Sequence, residues 1–293
     1  MSVYQRPPKV VPGDRVGVAA LSGWVRPRRL RRGLEELRGL GFDPVPAANL
    51  ESRDGVFGGS VAERLDSFHQ LLRQPDLKAV FFVRGGHGVL PLLESIDWDL
   101  VTKEPRAFIG YSDLTPFLLE TTRRSGLMTF HGPMVAVEFA RGLEEIERRA
   151  LLAALGGGRL PAYELTGVAG GPAVEGILLG GCLSLLASTV GTEFALKPEQ
   201  PTVLFWEDVG EPYYRLDRML TQMRLSGSVS AVSGMVIGRT GLEATELERL
   251  GRDFGRSFGS GLSSGHCKPN LTLPLGAEVR LDPSSRRIEF ELG

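Results

Sequence analysis

Two glycine-containing segments, each directly after a short apolar run, hold the first residues that could do chemistry. The segment RGGHG at 84–88 follows the run KAVFFV, and GYSD at 110–113 follows RAFIG. Apolar runs of this length are typical of buried parallel strands, and binding sites form where the carboxyl ends of such strands meet. The two segments are therefore predicted to lie on one edge of a sheet.

Ser112 lies in the second segment, in a tight turn between a predicted strand and a predicted helix. This is the arrangement of a nucleophile elbow, which exposes the serine hydroxyl. The helix N-terminus behind the serine adds partial positive charge where an oxyanion would form. The same serine could simply cap the helix. The motif alone favours the cap, because Leu114 stands where the elbow usually has its last glycine.

The pair Gly85-Gly86 in the first segment also has two interpretations. Its backbone N–H groups can face an anion or an oxyanion, or the pair can be only a flexible loop. The segment has neither the Gly-x-Gly-x-x-Gly spacing nor the lysine of a Walker motif. Phosphate binding is therefore only weakly supported.

A serine nucleophile needs a base, and the chain contains four histidines. His69 falls within an amphipathic helical pattern and is predicted to be structural. His131, in FHGP at a strand end, and His87, beside the glycine pair, could each line the site. His266 lies in a Gly/Ser-rich stretch where packing gives little reason for a histidine. A function is plausible there, and simple solvent exposure is the alternative.

The base in turn needs a carboxylate that orients it. Glu207 directly follows the apolar run TVLFW, and a carboxylate at a strand end often faces a site. Asp208 competes for this role, and Glu207 could instead pair with Arg215 or Arg218. The histidines are scattered and the sequence has no HExxH motif, so no metal site is predicted.

The elements that must position these residues follow from the apolar patterns. The first half alternates strand-like runs with amphipathic helical patterns, which favours a parallel sheet covered by helices on both faces. A capping box at Ser60 and Glu63 predicts one helix start. Strands are predicted at 15–20, 44–47, 78–83, 106–110 and 128–130, and helices at 28–40, behind Ser60, and at 114–124.

The second half is predicted to be more mixed. Three glycines at 156–158 favour a domain boundary, with a helix cap and an ordinary loop as the alternative. Strands are predicted at 173–179, 202–206 and 231–237, a helix at 213–225, a Gly/Ser-rich loop at 252–265, and short strands at the end.

Composition bounds the class of protein. The chain has 293 residues and a net charge of −1, so its overall charge does not favour binding to nucleic acid. The arginines at 26, 28, 29, 31 and 32 are predicted to form the wet face of an amphipathic helix. Two cysteines cannot build a disulfide framework, and no signal peptide or long apolar run is visible. A cytoplasmic location without a membrane span is expected.

Taken together, the segments resemble the LD-carboxypeptidase family of serine peptidases, which includes microcin-immunity-type peptidases. The segment around Glu207 is the most specific of them. The matching segments occur in family order along nearly the whole chain: PGDRVGVAA, FFVRGGHG, FIGYSDLTPFL, FHGPM, ILLGGCLSLL, LFWEDVGEPYYRLDRMLTQMRLSG and GHCKPNLTLPLG.

The resemblance implies a catalytic triad of Ser112, Glu207 and His266, with an oxyanion hole from the backbone N–H groups of Gly86 and Asp113. It also implies an α/β fold: a flavodoxin-like parallel sheet in an N-terminal domain and a β-rich mixed C-terminal domain, with the site between them. We expect the nucleophile in a domain at 1–150, a linker at 151–170, and the Glu and His in a domain at 171–293. No cofactor and a homodimer are expected.

The resemblance further implies a small peptide substrate, a muropeptide cut before its terminal D-alanine in peptidoglycan recycling. Arg84 is expected to grip the terminal carboxylate, because a guanidinium can do so bidentately. A surface arginine or a structural ion pair is the alternative. The family often has tyrosine at His87 and asparagine at Cys182, so both positions are expected to affect the substrate pocket, with His87 as a binding residue.

Two rival functions stay open. The same triad could act on a peptidyl- or aminoacyl-nucleotide antibiotic. An aromatic side chain that serves as a platform for the nucleobase would favour this function. Trp206 is a candidate platform, although its position in an apolar run predicts a core residue. The other rival is a protein that binds a ligand in the cleft between its domains without catalysis.

Overall fold

The computed structural model describes residues 4–291, which form two β-sheets and the helices around them. The strands are β1 (Arg15–Ala19), β2 (Asp43–Pro46), β3 (Leu77–Phe82), β4 (Ala107–Gly110), β5 (Thr129–His131), β6 (Tyr163–Glu164), β7 (Ala169–Gly170), β8 (Val174–Cys182), β9 (Thr202–Glu207), β10 (Val232–Ile237), β11 (Ser257–Ser260), β12 (Leu273–Leu275), β13 (Glu278–Asp282) and β14 (Arg287–Glu291). The α-helices are α1 (Pro27–Gly39), α2 (Val61–Leu72), α3 (Trp98–Lys103), α4 (Thr115–Ser125), α5 (Glu145–Gly156), α6 (Leu183–Ser188), α7 (Tyr213–Leu225) and α8 (Ala244–Phe254).

The first sheet has six strands in the order β12-β5-β4-β3-β1-β2. Its five strands from the first half are parallel, and β12 joins the edge antiparallel to β5. The order β2-β1-β3-β4-β5 is that of flavodoxin-like folds, so the predicted architecture is confirmed. In such a sheet the strand order changes direction between β1 and β3, and a crevice opens at their carboxyl ends.

Burial explains why the sequence predicts this sheet well. All residues of β3 except Lys78 are buried, as expected for a central parallel strand that is covered on both faces. The predicted capping box also forms at the start of α2. Ser60 Oγ accepts a hydrogen bond from Glu63 N at 3.2 Å, and Ser60 N donates to the Glu63 carboxylate at 2.8 Å.

The second sheet has eight strands in the order β6-β14-β13-β8-β9-β10-β11-β7. Strands β8 to β11 are parallel, and the flanking strands pair antiparallel, so this sheet is mixed, as predicted. Trp206 is fully buried here with Leu204, Leu216 and Met235. Its predicted place in the core is confirmed, and it offers no platform to a ligand.

The predicted loop at 252–265 is wrong in its first part. Helix α8 extends to Phe254, and β11 follows after one turn. The glycines in this stretch allow close packing: a β-carbon on Gly251 would lie 2.6 Å from the ring of Phe258, and one on Gly259 would lie 2.4 Å from Leu165. The glycines that make this segment resemble a loop are therefore explained by close packing around α8 and β11.

The two halves of the chain meet in one continuous apolar core. Phe130 of the first sheet belongs to the same buried cluster as Leu178 and Phe205 of the second. Residues 151–170, predicted as a linker, contain the end of α5 and the short strands β6 and β7. The division into two domains stays a prediction. None of the helices within residues 4–291 combines the length and apolar character needed to cross a bilayer.

Candidate active site

Ser112 lies in a strained turn between β4 and α4. Its φ is +63°, a left-handed conformation that costs a non-glycine residue about 1–2 kcal/mol. The predicted strand–turn–helix arrangement is present, with one 3₁₀ turn (Ser112–Leu114) before α4. The N-cap of α4 is Leu114, and it makes no side-chain cap. Ser112 is therefore not the helix cap, and strain at such a turn is typical of a nucleophile elbow.

Hydrogen bonds to three other elements hold this turn. The buried carboxylate of Asp113 accepts bonds from Ser22 Oγ at 2.7 Å and from Val89 N at 3.0 Å. Thr115 Oγ1 donates to the Ser112 carbonyl at 2.7 Å and accepts from the backbone N–H of Cys182 at 3.0 Å. The position of Ser112 thus depends on the ends of β1 and β3 and on β8 of the second sheet.

The glycine pair after β3 packs directly against this turn. A β-carbon on Gly85 would lie 3.0 Å from Ser112 Oγ and 3.2 Å from Asp113 N. Gly86 has a φ of +111°, which favours glycine, and it lines the same cavity as Ser112. The resemblance gave a role to Gly86 alone of this pair, whereas the contact with the serine belongs to Gly85 and requires the absence of a side chain there.

Glu207 and His266 meet at the end of β9. The Glu207 side chain is fully buried, and its two oxygens lie 3.0 and 2.9 Å from His266 Nδ1. The backbone N–H of His266 donates to the same carboxylate at 3.2 Å. Gly265 allows this approach, because a β-carbon there would lie 2.6 Å from Glu207 Cδ. Since Nδ1 is bound to the carboxylate, Nε2 is the nitrogen left for a reacting group.

The surroundings of His266 favour its charged form. Burial of the imidazole lowers its pKa, but the hydrogen bond and the charge of Glu207 raise it, and the net pKa lies above the ordinary value of 6.5. The charges of Asp208 and Glu138 act in the same direction as that of Glu207. Tyr111 packs edge-to-face on the imidazole with ring centres 5.0 Å apart.

Asp208, the competing carboxylate, has a different partner. It accepts a hydrogen bond from Ser184 N at 2.7 Å, in the first turn of α6. Arg215, a suggested ion-pair partner of Glu207, pairs with Glu211 at 3.1 Å instead. Arg218 lies over the ring of Tyr214. Glu207 is therefore the carboxylate that contacts the histidine.

Ser112 and His266 line one cavity of about 590 Å³, together with Gly86 and Arg84. Among residues 4–291 no direct hydrogen bond joins Ser112 Oγ to the imidazole. Catalytic hydrogen bonds of this kind often form only when substrate is bound. The arrangement brings a hydroxyl, an imidazole and a buried carboxylate to one site, and these are the groups that acyl transfer through a serine nucleophile requires.

The remaining predicted binding residues lie in different surroundings. Arg84 is exposed, lines the cavity, and donates to the carbonyls of Gly85 at 3.1 Å and Trp24 at 3.2 Å. His87 is exposed and packs against the ring of Phe57, outside the residues that line the cavity. A contact between His87 and substrate stays a prediction.

The other two histidines are structural. His69 Nε2 accepts a hydrogen bond from Asp97 N at 3.0 Å, in keeping with its predicted role. His131 is fully buried between Tyr111 and Phe205 and does not line the cavity. Burial, and secondarily the nearby His266, lowers the pKa of His131 to about 3. Within the described ranges no group of three or more His, Cys, Asp or Glu side chains is placed to hold a metal ion.

The loop that carries His266 is fastened to α5, in the middle of the chain. Gly265 N donates to Asn270 Oδ1 at 2.8 Å, and Asn270 N donates to the fully buried Glu147 carboxylate of α5 at 2.6 Å. Arg141 forms an ion pair with the same carboxylate. The sequence interpretation missed these residues, because nothing in the local pattern links positions 123 residues apart.

Comparison with known proteins decides the family. The model of the LD-carboxypeptidase N-terminal domain matches residues 16–132, and the model of the LD-carboxypeptidase C-terminal domain matches residues 175–281. The chain belongs to the LD-carboxypeptidase family. The matched ranges contain Ser112 and the Glu207–His266 pair, and carboxypeptidases are hydrolases.

Relatives in this LD-carboxypeptidase family match along their whole lengths. A putative carboxypeptidase of Streptomyces coelicolor is 37% identical, covering 98% of this chain and 96% of the relative. A probable murein peptide carboxypeptidase of Bacillus subtilis is 32% identical, covering 100% of this chain and 96% of the relative.

Solved structures share the fold. A muramoyltetrapeptide carboxypeptidase from Oxalobacter formigenes superposes with a TM-score of 0.85 at 27% identity, covering 94% of this chain and 97% of that one. MccF in complex with glutamyl sulfamoyl guanosine superposes with a TM-score of 0.88 at 23% identity, covering 98% of both chains. At 23% identity the similarity to MccF shows the fold alone.

Proposed function

We propose that this protein is a serine carboxypeptidase that hydrolyses the L,D amide bond to the terminal D-alanine of a murein tetrapeptide, in peptidoglycan recycling. The observation that carries the proposal is the buried Glu207 bound to His266 Nδ1 beside a cavity that also contains Ser112 on its strained turn. Relatives named for murein peptides support the substrate class.

In the proposed mechanism the first half-reaction makes an acyl-enzyme. His266 Nε2 takes the proton of Ser112 Oγ as this oxygen forms a bond to the carbonyl carbon. Glu207 holds the imidazole and stabilises its cation. The oxyanion accepts hydrogen bonds from the backbone N–H groups of Gly86 and Asp113. The carbon–nitrogen bond then breaks, and His266 gives its proton to the departing amine of D-alanine.

The second half-reaction restores the enzyme. His266 removes a proton from water as the water oxygen bonds to the acyl carbon. The tetrahedral intermediate uses the same two N–H groups. The bond from carbon to Ser112 Oγ breaks, and the proton on His266 returns to the serine. Arg84 at the cavity wall holds the terminal carboxylate only in the first half-reaction, because this carboxylate leaves with D-alanine before water attacks.

The test is mass spectrometry of a tetrapeptide ending in D-alanine before and after incubation with the protein. We expect loss of D-alanine with the native chain and a decrease in turnover on the order of 10³–10⁶ for Ser112→Ala. Ser95→Ala is a matched control, because Ser95 is exposed and does not line the cavity. Full activity of Ser112→Ala contradicts the proposal.

A second candidate is the same triad acting on a peptidyl- or aminoacyl-nucleotide. One observation favours it: the half-buried indole of Trp24 lines the cavity, where a nucleobase could stack. A microcin self-immunity protein is 25% identical over 89% of this chain. Comparing hydrolysis of the tetrapeptide with that of a peptidyl-nucleotide separates the two candidates.

Two further points belong to this proposal. Labelling of Ser112 by a fluorophosphonate would argue against a protein that only binds a ligand in the cleft; a tight ligand left uncleaved would support one.

We also propose a homodimer in the cytoplasm, which the family resemblance implies. Light scattering of the purified chain and fractionation of the producing cell test these two statements.

A further inference from the structure

The wall of the catalytic cavity carries a concentration of positive charge. Three arginines line it, Arg26, Arg29 and Arg84, and no aspartate or glutamate does. None of the three has a carboxylate within 4.0 Å among residues 4–291. The whole chain has a net charge of −1, so this local excess does not reflect the overall composition.

Two of these arginines lie at the start of α1. Arg26 is the N-cap of α1, and Arg29 lies in its first turn, at the positive end of the helix dipole. Cations are unfavourable there, and α1 has neither an acidic residue in its first turn nor a side-chain cap. An exposed arginine in the cavity wall that has no carboxylate partner within residues 4–291 is available to a negatively charged group.

The arginine cluster of α1 divides into two groups. Arg28, Arg31 and Arg32 are exposed and do not line the cavity, in keeping with the wet face predicted from the sequence. Arg26 and Arg29 are also exposed, but they contribute to the wall that contains Ser112. The amphipathic pattern alone does not distinguish these two groups.

We propose that Arg26 and Arg29 form a second anion subsite, which binds an internal carboxylate of the peptide while Arg84 holds the terminal one. This inference rests on the proposed carboxypeptidase function. One terminal carboxylate uses one guanidinium, so two further guanidinium groups in the same wall leave capacity for a second anion. The substrate class is therefore a peptide with at least two carboxylates.

The test uses two tetrapeptides ending in D-alanine that differ only in one internal carboxylate, which is free in one and a primary amide in the other. We expect the native chain to prefer the free acid in kcat/KM by about 5- to 20-fold. In the double variant Arg26→Gln/Arg29→Gln we expect this preference to disappear, because KM for the free acid rises. The preference of the native chain decreases as salt is added.

Arg31→Gln is the matched control, because it removes the same charge from the same helix outside the cavity wall. It should keep the native preference. The subsite is refuted if the native chain treats both peptides alike, or if Arg31→Gln loses the preference as fully as the double variant does. The second result would assign the effect to the general field of the helix.

Failure of the proposed function gives a different result. In that case neither peptide is cleaved, and the subsite is measured by calorimetric binding of the two peptides to the native chain and to the double variant. Tighter binding of the free acid to the native chain alone supports the subsite without catalysis. Equal binding of both peptides to both proteins refutes it.

Discussion

At the scale of single residues, Ser112 shows a conflict between stability and chemistry. Its φ of +63° is one that an L-residue adopts at a cost, and the bonds of Asp113 and Thr115 help to keep the turn in place. The strain exposes the hydroxyl beside Gly85. The chain therefore stores a small amount of unfavourable energy at the position where the proposed reaction takes place.

Ser112→Gly should relieve this strain. We expect the free energy of unfolding to rise by about 0.5–1 kcal/mol, because glycine adopts positive φ without steric cost and this gain exceeds its larger unfolded-state entropy. Activity should be lost. Ser112→Ala is the control, since it removes the hydroxyl and keeps the β-carbon. Equal stability of the two variants in urea unfolding would contradict the prediction.

The His266–Glu207 pair predicts a pH dependence. A base must be neutral, so kcat/KM should decrease as pH falls through a His266 pKa that lies above 6.5. Glu207→Gln removes the main contribution that raises this pKa and leaves the burial that lowers it. We expect the acidic limb to move to lower pH and the plateau rate to decrease about 10⁴-fold.

The control for this experiment is Glu211→Gln, a substitution on the same segment whose side chain pairs with Arg215 and makes no bond to His266. It should leave the acidic limb in place. An acidic limb that stays unmoved in Glu207→Gln would show that the limb belongs to another group. The measurement is a pH–rate profile from about pH 5 to pH 9.

At the scale of elements, the loop after β11 depends on α5. The Glu147 carboxylate accepts from Asn270 N, and Asn270 in turn holds Gly265, one residue before His266. Helix α5 lies in the middle of the chain, whereas the loop follows more than 100 residues later. The backbone beside the histidine is therefore held by a helix that is distant in sequence.

Glu147→Gln should weaken this support. The amide keeps one acceptor but loses the charge that binds Arg141 and strengthens the bond from Asn270. We expect a loss of about 1–3 kcal/mol in stability and a decrease in kcat of about tenfold, with KM little changed. Glu145→Gln, an exposed position on the same helix, should change neither value. A change in stability with native kcat would mean that Glu147 supports the fold only.

Elements explain which predictions succeed. Strands such as β3 are confirmed within one residue, because burial on both faces produces an apolar run that the sequence displays directly. Strand β11 and the end of α8 were predicted as loop, because glycines that permit close packing resemble glycines that permit turns. The Glu147–Asn270 contact could not be predicted, since a single sequence contains no signal for a pair so far apart.

At the scale of the whole molecule, His131 lies where the two sheets meet. It belongs to β5, and its ring packs on Phe205 of the second sheet with centres 5.0 Å apart. Neither ring nitrogen has a hydrogen-bond partner among residues 4–291. The contact between the sheets therefore includes a side chain that must remain neutral to stay buried.

This burial predicts sensitivity to acid. The pKa of His131 in the folded chain is about 3, below its ordinary value of 6.5. Between these two values the unfolded chain binds a proton at His131 and the folded chain does not. The stability contribution is fully present above pH 6.5 and decreases by about 1.4 kcal/mol per pH unit below it. His131→Leu should flatten the dependence of unfolding free energy on pH between 6.5 and 4.

The matched control is His87→Leu, because His87 is exposed and its loss removes no buried imidazole. Its unfolding free energy should follow the native pH dependence. Urea unfolding at several pH values measures all three proteins. Parallel curves for His131→Leu and the native chain would show that the acid sensitivity of this fold comes from other groups.

The loop that contains His266 leaves β11 of one sheet and enters β12 of the other. Strand β12 pairs with β5 and β11 pairs with β10, so the two ends of this loop are fixed by strand pairing in different sheets. A displacement of one sheet against the other would therefore move the imidazole relative to Ser112. The proposed proton transfer requires that the two sheets keep their mutual position.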